Sequence, residues 1–200
     1  MIKNGIGTGE RKNVMVLKKI NAVVSWILLA LLLVHIFTTL AYLLTGWVNM
    51  DIMMKAPRAL AVVCVLHVCI SLAIVFFMHD GSDFTKYGKL NQRTFMQRLS
   101  GLLILLLVHP HVKLFAGFIY ENLPLSPGRK IFIFIVEMLF FGAIYTHLEC
   151  SFSRSLITMG LIRSEKAERA VDWAARALCA LGFAVTFFAL ARFLIMWDPA

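Results

Sequence analysis

Six histidines occur in this 200-residue chain: His35, His67, His79, His109, His111 and His147. Only His79 lies in a polar stretch; the other five stand inside long apolar runs. An ionisable ring held in hydrocarbon is costly, so it faces a neighbouring helix or a bound group rather than lipid. Neutral imidazole ligates transition metals and is a common axial ligand of haem iron. Two imidazoles on opposite sides of an iron would hold one haem, and four at two depths would hold two, stacked along an electron path across a bilayer. The same side chains could instead line a route for protons or metal ions. Spacing alone leaves both chemistries open.

The elements that carry these rings are legible from hydropathy. The chain is 60% hydrophobic with a mean hydropathy of +0.80, above the half-apolar composition usual for a soluble domain. A helix needs about 20 apolar residues to cross the hydrocarbon core. Runs of that length predict an all-α integral membrane bundle of five transmembrane helices, at about 20–47, 59–78, 96–120, 129–162 and 167–197. They leave room for a single domain over 1–200. Gly46 and Pro57 bracket the first loop and the polar stretch 79–83 opens the second. Pro124, Pro127 and Gly128 mark the third, and the charged stretch 163–169 forms the fourth,. The basic segment before the first run, and the length of that run, predict a retained first helix and no cleaved signal peptide.

The net charge of +9 would suggest nucleic acid in a soluble protein. In a membrane bundle it reads as the excess of Lys and Arg on cytoplasmic segments, and no nucleic-acid partner is expected. Thirteen of these residues fall on the N-terminal segment, the second loop with the start of helix 3, and the helix 4–5 region; five fall on the opposite side. This predicts a cytoplasmic N-terminus and a C-terminus outside, in a multi-pass protein of the cell's inner (cytoplasmic) membrane. Cys64, Cys69, Cys150 and Cys179 form no CxxC pair and read as small packing residues.

Depth sorts the histidines. At about 1.5 Å per residue, His35 and His111 both lie roughly 20 Å from the N-terminal face of the bundle. His67 and His147 lie roughly 10–16 Å from that face, on helices that run the other way. Two pairs follow: His35 with His111, and His67 with His147. His109 competes with His111. The two are separated by Pro110, which removes a backbone donor, and point about 200° apart.

The pattern resembles the single-chain, five-helix, dihaem cytochrome b anchor of the succinate dehydrogenase/fumarate reductase (succinate:quinone oxidoreductase) family. There, helices 1 to 4 each supply one axial histidine. Ser100-Gly101 followed by His111 ten residues after the glycine is similar to the family's third helix, and favours His111 over His109. Met96-Gln97-Arg98 before it is also similar. His147, Arg154 and Gly160 match the spacing on the fourth helix. His35, in a run ending Leu44-Thr45-Gly46, looks like the first helix, and His67 with Ser71 and Leu72 like the second.

The resemblance implies two haem b groups on His35, His67, His111 and His147, with quinone as the redox partner in the membrane. It also implies a flavoprotein subunit and an iron–sulfur subunit as partners, and no dicarboxylate chemistry on this chain. Asn21, Arg98 and Arg154 are candidates to meet haem propionates or quinone carbonyls, and Arg192 to snorkel or to meet an outer propionate. The sequence departs from some fumarate reductases of the family, which have a glutamate two residues before the fourth-helix histidine. Tyr145 stands there, with Glu137 and Glu149 nearby. Alternatives are a cytochrome b subunit of a hydrogenase or another dehydrogenase, and a histidine-lined metal or proton transporter.

Overall fold

With no water in hydrocarbon to satisfy backbone N–H and C=O groups, a spanning segment must close its hydrogen bonds internally. In the computed structural model, which describes residues 8–47, 49–77, 88–121 and 125–196, the apolar runs accordingly form helices. They are α1 (Thr8–Thr45), α2 (Met50–Phe77), α3 (Gly88–Glu121), α4 (Pro127–Thr158) and α5 (Glu165–Met196). Each is long and apolar enough to cross a membrane, and no strand occurs among the described residues. The chain is a five-helix, all-α, multi-pass membrane protein. The polar stretch 79–83, with Lys3, Lys86, Pro124 and Trp197, lies outside the described residues.

Local chemistry sets the ends. Asn49 Oδ1 accepts the N–H groups of Asp51 and Ile52 (3.1 and 3.3 Å) and starts α2,. Ser126 accepts from the Arg129 N–H (3.3 Å), and Pro127 follows it in the first turn of α4,. Ser164 Oγ accepts from the Ala167 N–H (3.3 Å) at the start of α5, whose first turn holds Glu165 and Glu168,. Gly46, at φ +72°, ends α1. Gly160, at φ +78°, ends α4 with bonds from its own N–H to Ile157 O and from the Leu161 N–H to Leu156 O, a Schellman closure that needs the left-handed conformation.

Three helices begin earlier than hydropathy predicts. α1 starts at Thr8, α2 at Met50 and α3 at Gly88, against expected starts near 20, 59 and 96. Hydropathy marks the part of a helix suited to hydrocarbon, whereas the helix continues into the interface as long as its backbone bonds close. Pro57 therefore lies inside α2 rather than in a loop, and α3 runs continuously through Pro110. α4 stops at Thr158 rather than near 162,, because of the Gly160 closure.

Successive helices alternate in direction. Asn21 meets Ser71 and Ser25 meets His67 along α1 and α2. Gln97 meets His147, and His111 meets Glu137, along α3 and α4. Tyr145 meets Thr186 along α4 and α5. α4 is the hub, packed on α3, α5 and α1; among the described residues α2 packs closely only on α1, and α3 only on α4. Ile133, Leu190 and Leu194 form the α4–α5 core, joined by Leu114 and Phe115 of α3. Large apolar side chains such as Val62, Phe76 and Ile195 face outward, as a lipid-facing surface requires. Two helix pairs, α1–α2 and α3–α4, thus stand side by side, with no close backbone approach between α2 and α3 among the described residues. His35, His67, His111 and His147 lie on the inner faces of these pairs.

Candidate functional site

His67 on α2 and His147 on α4 occupy the level nearer the start of α1. Ser25 Oγ lies 3.3 Å from His67 Nδ1 and donates its single proton to Asn21 O at 2.7 Å. With that proton committed, the hydroxyl accepts, so His67 is protonated on Nδ1 and carries its lone pair on Nε2. His147 Nδ1 lies 3.0 Å from Gln97 O. A carbonyl only accepts, so here too Nδ1 donates and Nε2 holds the lone pair. Ser100 Oγ, itself donating to Gln97 O (3.1 Å), sits 3.3 Å from the same nitrogen. Gly101 lies against the ring: a Cβ there would be in ordinary contact, 3.4 Å from His147 Cε1 and 3.5 Å from Nδ1, and a larger side chain would press on it. The two imidazoles lie within electrostatic reach of each other, although α2 and α4 have no close backbone approach among the described residues.

The second level holds His35 on α1 and His111 on α3. Their ring centroids are 6.3 Å apart with planes at 87°, again between helices whose described backbones do not approach closely. His111 Nδ1 lies 2.7 Å from Glu137 Oε2. An ionised Glu137 makes Nδ1 the donor and leaves Nε2 with the lone pair. The ring stacks on Phe140 (4.5 Å, 29°) and touches Phe115 and Phe141 at 5.1 and 6.0 Å. His35 Nδ1 is buried without a hydrogen-bond partner among the described residues. The levels agree across the bundle. Ser25 and His35 are ten residues apart on α1, as are Glu137 and His147 on α4; both spacings are about 15 Å of helical rise.

His111 and His109 part company here. His111 turns into the bundle, its side chain 13% exposed, whereas His109 is exposed on the outer face of α3. Asn21 donates its amide to Ser71 Oγ (3.2 Å) and clasps α1 to α2, while its Oδ1 is buried without a partner. Arg154 reaches α3, with Nη1 on Gln97 Oε1 (3.0 Å) and Nη2 on Thr94 Oγ1 (2.8 Å). Arg98 is half-buried on α3. Arg192 donates to Leu44 O (2.8 Å) and so caps the last turn of α1,. Tyr145 turns away from the histidines and bonds Thr186 at 3.0 Å, over a Gly182 whose Cβ would meet its ring at 2.8 Å. The four cysteines are free.

Sequence reasoning missed the groups that orient the rings. Ser25 carries no motif signal; Ser100 and Gln97 lie in the stretch that resembles the family's third helix, but only the fold sets them against the His147 ring. Glu137 did carry one, since a carboxylate inside a spanning helix requires a partner. It is fully buried, and that partner is His111. Arg93 reads in sequence only as one more cation. In the fold it grips Asp172 with two bonds (2.8 and 2.7 Å), Ser153 Oγ (2.7 Å) and the Glu149 and Cys150 carbonyls, tying α3 to α4 and α5. Beside it lies a polar cavity of about 280 Å³ lined also by Gln92, Met96 and Arg176.

The donor set fits haem. Metal–imidazole bonds of about 2 Å on opposite sides of one metal put two ring centroids roughly 6 Å apart, which matches the His35–His111 separation. Pinning a ring through Nδ1 is the usual means of presenting Nε2 to a metal. Among the described residues, no three His, Cys, Asp or Glu side chains converge as a cage for a divalent ion would require,; the imidazoles stand in twos. Compared with known proteins, the chain matches no protein-family model, no curated protein and no solved structure.

Proposed function

We propose that this chain is the dihaem cytochrome b anchor of a succinate:quinone oxidoreductase, carrying electrons between an iron–sulfur subunit and the quinone pool. The observation that supports it most is the arrangement of four histidines on four successive helices. They stand at two depths, His35 and His111 with ring centroids 6.3 Å apart, and three of them have Nδ1 held by a polar neighbour. A route for hydrated ions would need a continuous polar path between the levels. Instead Phe140, Phe141 and Phe115 wall in His111.

On this reading His67 and His147 hold one haem and His35 and His111 the other. Haem b, when bound, supplies a one-electron couple within the bilayer. The chain's own residues fix each ring's tautomer and direction, keep water out with apolar walls, and hold the two levels about 15 Å apart along the helices. Arg154 and Arg98, at the level nearer the start of α1, are cations suited to propionates or quinone carbonyls. On this reading that end, the richer in Lys and Arg, faces the cytoplasm from the cell's inner membrane, and a flavoprotein and iron–sulfur subunit would dock there. Succinate or fumarate chemistry belongs to the flavoprotein.

A pyridine haemochrome assay with reduced-minus-oxidised spectra on the purified chain tests the proposal. The expected result is two haem b per chain with low-spin bis-histidine signals. A preparation expressed with ample haem supply that holds none, but binds divalent metal, would return the histidines to transport.

A further inference from the structure

Glu137 is out of place by any local rule. Its side chain is fully buried in a spanning helix, Oε2 has the His111 ring as its partner, and Oε1 has none among the described residues. A carboxylate so placed is expensive. Removing it would leave an ordinary apolar face on α4, where Ile133 and Phe140 are also buried. What the carboxylate does have is direction. Oε2 lies 2.7 Å from His111 Nδ1, behind a ring clamped by Phe140 and flanked by Phe115 and Phe141. The His35 ring lies near it, centroid to centroid 6.3 Å with the planes at 87°.

Resting on the haem reading above, we propose that Glu137 is a positioning residue for His111. Its carboxylate accepts the Nδ1 proton, fixes the ring with Nε2 toward His35, and lowers the reduction potential of the iron that this pair would hold. The physical reasons are two. A carboxylate acceptor makes an imidazole a stronger donor than a neutral acceptor does. A negative oxygen in an apolar surround also favours the more positive, oxidised state of a bound iron, and little solvent screens it. The other pair has no counterpart. His67 is held by a serine hydroxyl and His147 by a backbone carbonyl and a serine, all neutral. Glu137 therefore acts on one level alone.

The test is a spectroscopic redox titration of the full chain and of Glu137→Gln, which keeps shape and removes charge, after haem content has been measured in both. The expected result is two haems in each. One midpoint potential rises in the variant by at least a tenfold change in the reduction equilibrium, 59 mV for a one-electron couple, and the other is unchanged. Two unchanged potentials, or two that move together, overturn the proposal. A wild-type chain without haem removes the haem reading itself, which is a different failure.

A second readout needs no variant. With glutamate labelled by 13C at the side-chain carboxyl, the redox-difference infrared spectrum of the wild-type chain should show a label-sensitive carboxylate band. If it shows none, Glu137 does not sense the iron and the proposal falls, whether or not Glu137→Gln assembles.

Discussion

The two histidine levels are built from the same residue type, one on α2 and α4 and the other on α1 and α3, yet their surroundings differ in kind. At one level the rings are held by hydroxyls and a carbonyl at 3.0 to 3.3 Å, and Gly101 lies against the His147 ring. At the other, one ring is held by a buried carboxylate at 2.7 Å and packed by phenylalanines, while its partner's Nδ1 has no acceptor among the described residues. The first level orients by many weak neutral contacts. The second orients by one charge-assisted bond, which is shorter and roughly twice as strong. Loss of a neutral partner should therefore weaken retention at the first level, and loss of the charge should shift the potential at the second.

On the dihaem reading proposed above, the largest effect should come from removing a ring. His67→Ala and His147→Ala should each abolish one haem and leave the other, and His35→Ala and His111→Ala should do the reverse; haem-to-protein ratio and the residual spectrum check this. A variant of any one of the four that keeps both haems would break the division into levels.

Next comes crowding. Gly101→Leu puts a side chain where a Cβ alone would already lie 3.4 Å from His147. It should displace that ring and empty the neutral level, while the potential of the other haem stays in place.

A smaller effect is expected from Ser25→Ala, which removes the acceptor for His67 Nδ1. Outer partners of this kind are worth roughly 10-fold or more in metal affinity, so haem should be lost faster from this level on competition with apomyoglobin. Because His147 has two acceptors near one nitrogen, Ser100→Ala should cost less than Ser25→Ala, and the same competition assay ranks them. The smallest effect belongs to His109→Ala, which alters an exposed residue on the outer face of α3 and should leave haem content and both potentials at wild-type values.

Much of the fold was readable because hydropathy and helical rise are properties of the chain itself. The five spans, the break at Gly46 and the sorting of histidines by depth follow from run length and from about 1.5 Å per residue. The helix starts were less readable. Hydropathy is blind to an interfacial turn, so α2 began at its Asn49 cap and enclosed Pro57, where a loop was expected. The ring partners were less readable still. Ser25, Ser100 and Gln97 are ordinary residues made significant by the helix they face. Asn21, expected near a propionate, instead joins α1 to α2 through Ser71.

By itself the sequence determined a membrane bundle of five helices and set histidines at two depths on four of them. Only the tertiary structure turned His111 into the bundle and His109 outward. Both lie in the same apolar run, and the choice depends on which face of α3 meets α4. It also brought Glu137 behind His111, turned Tyr145 toward α5, and sent Arg192 to the end of α1. Depth is a sum along one helix, so the chain encodes it locally. A lateral neighbour depends on how two helices are rotated against each other, and that is fixed only when small residues such as Gly101 and Gly182 let particular faces come together,.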